Sequence, residues 1–304
     1  MSNEYQAEDR SLLTPLLYRV LWGPMVSHLP QSISPNALTL AGQFCAFVAL
    51  VAATIDAFGS SIQLAIVAIG AFAYLTLDCI DGSHARRTGQ TSRLGEFLDH
   101  WLDGISGGVI VAAFALSLDA SWWAAAIAMG GVMMNYGTTF LEQRTTGIVR
   151  FSFLSSTEAI VTGATVCVIV AVLGLPQPII DALFAMGGAA ALSSSLVAWY
   201  RVGGGPSVLE EAVAMALIVS VVGLGKMEPQ AGLAAMMCVG HATGGAMIVE
   251  RFTGYRRPTG LVIAITLSVV AGWWVHALAA GLGGLFIWLA LSITDLRRVL
   301  DTIK

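Results

Sequence analysis

Hydrophobic residues gather along the chain into ten runs of roughly 15 to 22 positions, separated by short polar, Gly or Pro breaks. Their approximate limits are 37–55, 61–79, 98–118, 121–141, 158–175, 179–200, 208–225, 230–249, 259–277 and 279–295. Each is near the length that crosses a bilayer as an α-helix. A tight turn alone parts the last two, so nine spans remain an alternative. The pattern predicts an all-α, polytopic integral membrane bundle of about ten transmembrane helices. Paired small residues (Gly107-Gly108, Gly130-Gly131, Gly187-Gly188, Gly244-Gly245) suit close helix packing in lipid. Trp122, Trp123, Trp273 and Trp274 lie at or near run ends, where interfacial aromatics sit.

Ahead of the first run, SLLTPLLYRVLWGPMVSHL (11–29) mixes Leu12, Leu16, Leu17, Val20 and Leu21 with Arg19 and prolines at 15 and 24. This pattern predicts an interfacial amphipathic helix, with Tyr18 and Trp22 at the headgroup level. Residues 1–10 are polar and expected to be disordered, and no cleavable signal peptide is apparent. The chain therefore divides into residues 1–35, a polar start with its interfacial helix, and 36–304, the membrane domain.

Composition agrees: 56% hydrophobic residues, 11% charged and a mean hydropathy of +0.78 exclude a soluble domain. Nucleic acid is not an expected partner. Cys45, Cys79, Cys167 and Cys238 are scattered without metal-ligand spacing and read as small core residues. Charge sets the orientation. With the N-terminus in the cytoplasm, the segments before the first run, 80–97, 142–157, 201–207, 250–258 and the C-terminus carry 14 of the 15 basic residues. Lys226 alone falls on the other side. The positive-inside rule thus places both termini in the cytoplasm.

One stretch departs from the apolar background: DCIDGSHARRTGQTSRLGEFLDHWLD, residues 78–103. Acids near a bilayer are costly and mark functional sites by default. Asp78 and Asp81 are three apart and Asp99 and Asp103 four apart, so on helices each pair shares a face. Two such faces brought together give four hard oxygen ligands, a set suited to Mg2+ or Mn2+. The alternative is interfacial ion pairing with Arg86, Arg87 and Arg93.

The spacing D-x2-D-G-x2-A-R-x8-G-x3-D-x3-D resembles, at every position, the signature of the CDP-alcohol phosphotransferase superfamily of membrane lipid enzymes. Its context, ARRTGQTSRLGEFLDH, is most similar to the choline/ethanolamine phosphotransferase branch. That resemblance implies two metal ions on the four aspartates. It also implies a cytidine pocket over Gly82, Ala85 and Gly95, where small residues let a flat base approach the backbone. Arg86 would hold a phosphate or cap the site, or else serve as a positive-inside anchor. Pro35-Asn36-x-x-Thr39 resembles a family stretch beside the nucleotide; ordinary helix initiation by Ser34-Pro35 explains it equally well.

The segment FLEQRTTGIVRFSFLSSTEAIV resembles the branch's loop after the fourth span, placing Thr146-Gly147 and Thr157-Glu158 in its motifs. Alone, Glu158 is a favourable acid at a helix N-terminus and His100 a hydrogen-bonded interface residue. Together they suggest a general base with an orienting carboxylate, Asp103 being the rival base. His28, His241 and His276 read as interfacial or structural. Two departures from the branch, Ser83-His84 after the Asp-Gly and Trp101 after the Asp-His, bear on substrate identity more than on reaction type.

The resemblance implies transfer of phosphocholine or phosphoethanolamine from a CDP-alcohol to diacylglycerol, releasing CMP. The alternative is a phosphatidyltransferase that uses CDP-diacylglycerol and a soluble alcohol such as inositol phosphate, glycerol phosphate or serine. A transporter with intramembrane carboxylates is a third class. Superfamily members commonly pair as homodimers, so a second copy is an implied partner beside membrane lipid.

Overall fold

A computed structural model describes residues 6–55, 60–275 and 277–303. Helices α3 (Pro35–Thr54), α4 (Ser60–Thr88), α5 (Arg93–Ser117), α6 (Trp122–Thr146) and α7 (Ser156–Leu173) follow a short helical start. Next come α8 (Gln177–Arg201), α9 (Pro206–Gly223), α10 (Pro229–Thr253), α11 (Leu261–Val275) and α12 (Ala277–Ile303). These ten coincide one for one with the ten hydrophobic runs. Eight of them (α3, α4, α5, α7, α8, α9, α10 and α12) are long and apolar enough to cross a membrane. The apolar helix Leu261–Trp273 within α11 is shorter. Asn135, Glu142, Gln143 and Arg144 make α6 more polar. The protein is a polytopic helical membrane protein.

The start comprises α1 (Thr14–Leu17), a π-helical turn (Tyr18–Trp22) and α2 (Gly23–His28), with a proline in the first turn of each α-helix. Leu16, Tyr18 and Val20 are exposed, as an interfacial helix requires. Trp22 departs from expectation: it is fully buried, and its indole N–H donates to Thr76 Oγ1 of α4 at 3.4 Å. Its large apolar ring gains more from packing than from the headgroup layer. Part of the polar N-terminus is also ordered, since β1 (Gln6–Asp9) pairs with β2 (Ile148–Phe151) in a two-stranded sheet.

The chain forms two compact units. The first comprises Asp9–Ala125 and Phe151–Ala185; the second, Ala126–Arg150 and Met186–Lys304 with the piece ending at Glu8. In the first, α3 packs on α4 and α5, and α4 on α7. Small residues permit the α3–α4 contact: a Cβ added at Gly70 would stand 3.0 Å from Ala49 Cβ and from Cys45 O. In the second, α9 packs on α10 and α11, and α12 on α10 and α11. There the backbones of Gly131 and Gly188 meet so closely that a Cβ on Gly131 would overlap Gly188. All four cysteines are free; Cys167 is buried in the core, as expected, while Cys45, Cys79 and Cys238 are half-buried. His28 is exposed, and His241 accepts from Trp288 Nε1 at 3.1 Å; His276 lies outside the described residues.

Candidate active site

Residues 80–97, the segment between the second and third hydrophobic runs, are mostly helix. Polar side chains do not break α4, which runs on to Thr88 and stops where Gly89 adopts a φ of +70°. Asp78, Asp81, Gly82, Ala85 and Arg86 therefore lie on its last three turns. Ser92 opens α5, accepting from Gly95 N–H at 3.0 Å, so Gly95, Asp99, His100 and Asp103 occupy its first turns. Ser34 opens α3 the same way, accepting from Ala37 N–H at 3.2 Å, with Pro35 in the first turn. The N-termini of α3 and α5 thus meet the C-terminal end of α4.

Asp78, Asp99 and Asp103 each present an oxygen within 4.8 Å of the other two. Two ionised carboxylates at that separation repel by about 3.5 kcal/mol at an effective dielectric constant near 20. Asp81, the fourth acid of the motif, stands outside that trio and is buried. It accepts from Thr39 Oγ1 at 2.5 Å and from the Gly82 N–H. Tyr74, one turn before Asp78, donates its hydroxyl to Asp103 Oδ1 at 3.2 Å, a contact the sequence did not announce.

Of the arginines in the ion-pairing alternative, Arg86 and Arg87 make other contacts. Arg86 is exposed and donates to Ser83 Oγ at 3.1 Å. Arg87 turns to the Ser27 and Leu29 carbonyls and to His84. His84 is fully buried and bonds the Ile33 carbonyl through Nε2 at 2.9 Å, tying α4 to the entry of α3. The first departure from the family pattern is thus a structural clamp. Trp101, the second, stacks on Phe97 with ring centroids 5.8 Å apart.

Asn36 and Gly95 come together. A Cβ on Gly95 would lie 3.1 Å from Asn36 Oδ1 and from Ser92 Oγ, so a side chain there would press both back by a few tenths of an ångström. Gly82 borders Arg86 and is half-buried; Ala85 is buried. His100 is buried on α5 beside Asp99. Glu158 forms a capping box with Ser155 at the head of α7, accepting from Ser155 N–H at 2.8 Å and Ser155 Oγ at 2.7 Å. Its other oxygen accepts from Ser11 Oγ at 2.6 Å and from the Leu12 and Leu13 N–H groups at 2.8 Å. Five donors fill the roughly four acceptor sites of a carboxylate. Glu158 therefore pins residues 11–13 to α7, which sequence alone signalled only through the Ser155-x-x-Glu158 spacing.

Three close carboxylates fit a hard divalent cation by their donor chemistry. A helix N-terminus on either side favours anionic groups. Together these features suit a substrate carrying a diphosphate.

Comparison with known proteins agrees. The family model for CDP-alcohol phosphatidyltransferase matches residues 32–199. Cholinephosphotransferase 1 of Gallus gallus is 34% identical over 164 residues, covering 51% of this chain and 48% of that protein. Cholinephosphotransferase 1 of Saccharomyces cerevisiae is 38% identical over 109 residues, 34% of this chain and 28% of its own. Choline/ethanolaminephosphotransferase 1 of the same yeast is 33% identical over 121 residues, 38% and 30%. The matched parts span half or less of these curated relatives.

Proposed function

The chain belongs to the CDP-alcohol phosphatidyltransferase family, and on that premise we propose that it transfers phosphocholine or phosphoethanolamine from a CDP-alcohol to the hydroxyl of diacylglycerol, releasing CMP. The observation that carries this reading is the trio Asp78, Asp99 and Asp103, with oxygens within 4.8 Å of one another, at the meeting of three helix ends. The likeness to proteins named for choline and ethanolamine favours it over a phosphatidyltransferase using CDP-diacylglycerol.

The trio would hold Mg2+ or Mn2+, with Asp81 as fourth ligand, oriented by Thr39; two bound ions would neutralise the diphosphate and stabilise the leaving phosphate. Asn36, Gly82, Ala85 and Gly95 form the surface for the cytidine, and exposed Arg86 meets a phosphate at the mouth. His100 takes the proton of the acceptor hydroxyl as its oxygen bonds to the distal phosphorus and the bond to CMP breaks. Glu158, the carboxylate expected to orient His100, already accepts from Ser11, Leu12, Leu13 and Ser155, so its share in turnover would come through the α7 and N-terminal elements it fixes. The trio and both termini face the cytoplasm, as the basic segments suggest.

Purified protein with Mg2+ and diacylglycerol is incubated with labelled CDP-choline, CDP-ethanolamine or CDP-diacylglycerol. Label from one of the first two should enter lipid with an equal release of CMP. Transfer only from CDP-diacylglycerol to a soluble alcohol would shift the reading to the phosphatidyltransferase. Turnover with none would overturn it. Orientation has its own check: single cysteines at Gln90 and Leu224, in a cysteine-free background, should label from opposite sides of sealed vesicles.

A further inference from the structure

Below the aspartates lies a second, uncharged polar layer. On α3, Gln43 is one turn beyond Thr39; on α5, Ser106 is one turn beyond Asp103; on α4, Tyr74 is one turn before Asp78. Because α3 and α5 run away from the site and α4 runs toward it, all three steps lead the same way, into the apolar part of the helices. All three are buried: Gln43 is 7% exposed, Tyr74 5% and Ser106 1%. Ser106 Oγ also lies 3.3 Å from the Leu102 carbonyl, but its single proton goes to the nearer acceptor, Gln43 Oε1, and with the amide set that way its NH2 faces elsewhere. Among the described residues that Nε2 has no hydrogen-bond partner, although it is buried. A buried donor held in place by its own acceptor half, yet bonded to nothing, is costly unless a ligand supplies an acceptor.

We propose that Gln43 Nε2 donates to an ester carbonyl of the glyceride acceptor, positioning its free hydroxyl at the aspartate layer. This rests on the proposed transfer to diacylglycerol and adds how that substrate is recognised. The hydroxyl belongs one layer up, among Asp103, His100 and the donor's phosphate. The adjacent ester carbonyl lies a few bonds away, a reach comparable with one helical turn of about 5.4 Å. An ester carbonyl only accepts hydrogen bonds, which is what an amide NH2 requires. The layer points into the membrane, the side from which a lipid enters.

The test compares diacylglycerol with the dialkyl ether glycerol of the same chains, which keeps the hydroxyl and lacks the carbonyls. Wild-type protein should use the diether about tenfold less well in kcat/KM, as a site built around a hydrogen bond rejects an analogue lacking it. Gln43→Leu should lower kcat/KM for the diester about tenfold, bringing it to the diether level. Diether turnover and the KM for CDP-alcohol should stay within about twofold. Ser106→Ala, which leaves the amide but frees it to rotate, should fall between. Equal losses with both acceptors, or a wild type that does not distinguish them, would overturn the glutamine's role alone. A wild type that labels neither acceptor would overturn the transfer reading beneath it.

Discussion

Asp78, Asp99 and Asp103 in the first unit and Glu142 in the second are all acids on long, largely apolar helices, yet their surroundings are opposite. The three aspartates face one another within 4.8 Å. Glu142 is 1% exposed, and one oxygen accepts from Arg150 Nη1 at 2.8 Å and Arg201 Nη1 at 2.7 Å. The second unit repeats that solution, with Glu250 paired to Arg144 and Asp295 to Arg257. Arg150 also holds Glu8 at 3.0 Å, and the Glu8 and Glu142 carboxylates together hold its guanidinium above its ordinary range. A buried acid whose counter-charge is supplied by the chain is complete and structural. Acids gathered with like charges must take up a proton or a cation from outside, and that openness separates a candidate site from a brace.

The largest expected effect breaks the first half of this comparison. Asp78→Asn keeps the shape and removes one charged ligand. Turnover should fall by at least about a hundredfold, since metal stabilisation supplies several kcal/mol to the transition state. Its stability should move the other way. With excess EDTA the variant should melt at or above the wild-type temperature, because one repelling charge is gone, and added Mg2+ should raise its melting point less than it raises the wild type's. A variant that melts lower than wild type in EDTA would mean the trio is not strained by its own charge.

Glu142→Gln probes the other half. It removes the charge facing two guanidiniums while keeping an amide oxygen to accept from them, and both can turn partly to water, since the Arg150 and Arg201 side chains are 23% and 44% exposed. We expect a loss of about 2 kcal/mol, below the 3–5 kcal/mol typical of a fully buried broken pair. Activity per folded molecule and the Mg2+-induced shift should stay as in wild type. Thermal melting read beside CMP release separates the two effects. A loss of turnover at full folding would make Glu142 part of the site.

What the sequence disclosed follows the same division. The ten helices were readable because each depends on its own hydropathy, a local property. The four-residue spacing of Asp99 and Asp103 showed that those two acids share a face, but the three-residue spacing also set Asp81 beside Asp78, whereas Asp81 turns to Thr39. Hydropathy does not show where a helix ends once its residues turn polar: α4 carries Arg86, Arg87 and Thr88 past the apolar run and ends only at Gly89. Contacts between distant positions left no local mark. Thr39 on Asp81, Arg201 on Glu142, the β1–β2 pairing and Ser11 on Glu158 join residues 42, 59, about 140 and 147 apart in sequence. Gln43 and Ser106 are single polar residues in apolar runs, and only their meeting on adjacent helices gives them meaning.

The smallest effect tests a third kind of acid. Glu158 sits in the first unit with the aspartates, but its counterparts are five hydrogen-bond donors. It should therefore behave as a brace in stability while sharing in turnover through His100. Glu158→Gln replaces one acceptor oxygen by an NH2 that must face N–H or O–H donors, either Ser155 or the 11–13 segment. A cost of about 1–2 kcal/mol is expected, the range of a lost cap or an unmet buried donor. Ser11→Ala, which removes one of the five donors, should cost less. For turnover, His100→Ala should cost about a hundredfold or more with CDP-alcohol affinity nearly unchanged, as loss of a general base does. Glu158→Gln alone should cost only a few-fold. The double variant decides the coupling. If the two act as a unit, its turnover should match that of His100→Ala alone. Should the two losses multiply, Glu158 is a brace like Glu142 and the base works without it. Near-normal turnover in His100→Ala would instead move the base to Asp103, which already accepts the Tyr74 hydroxyl.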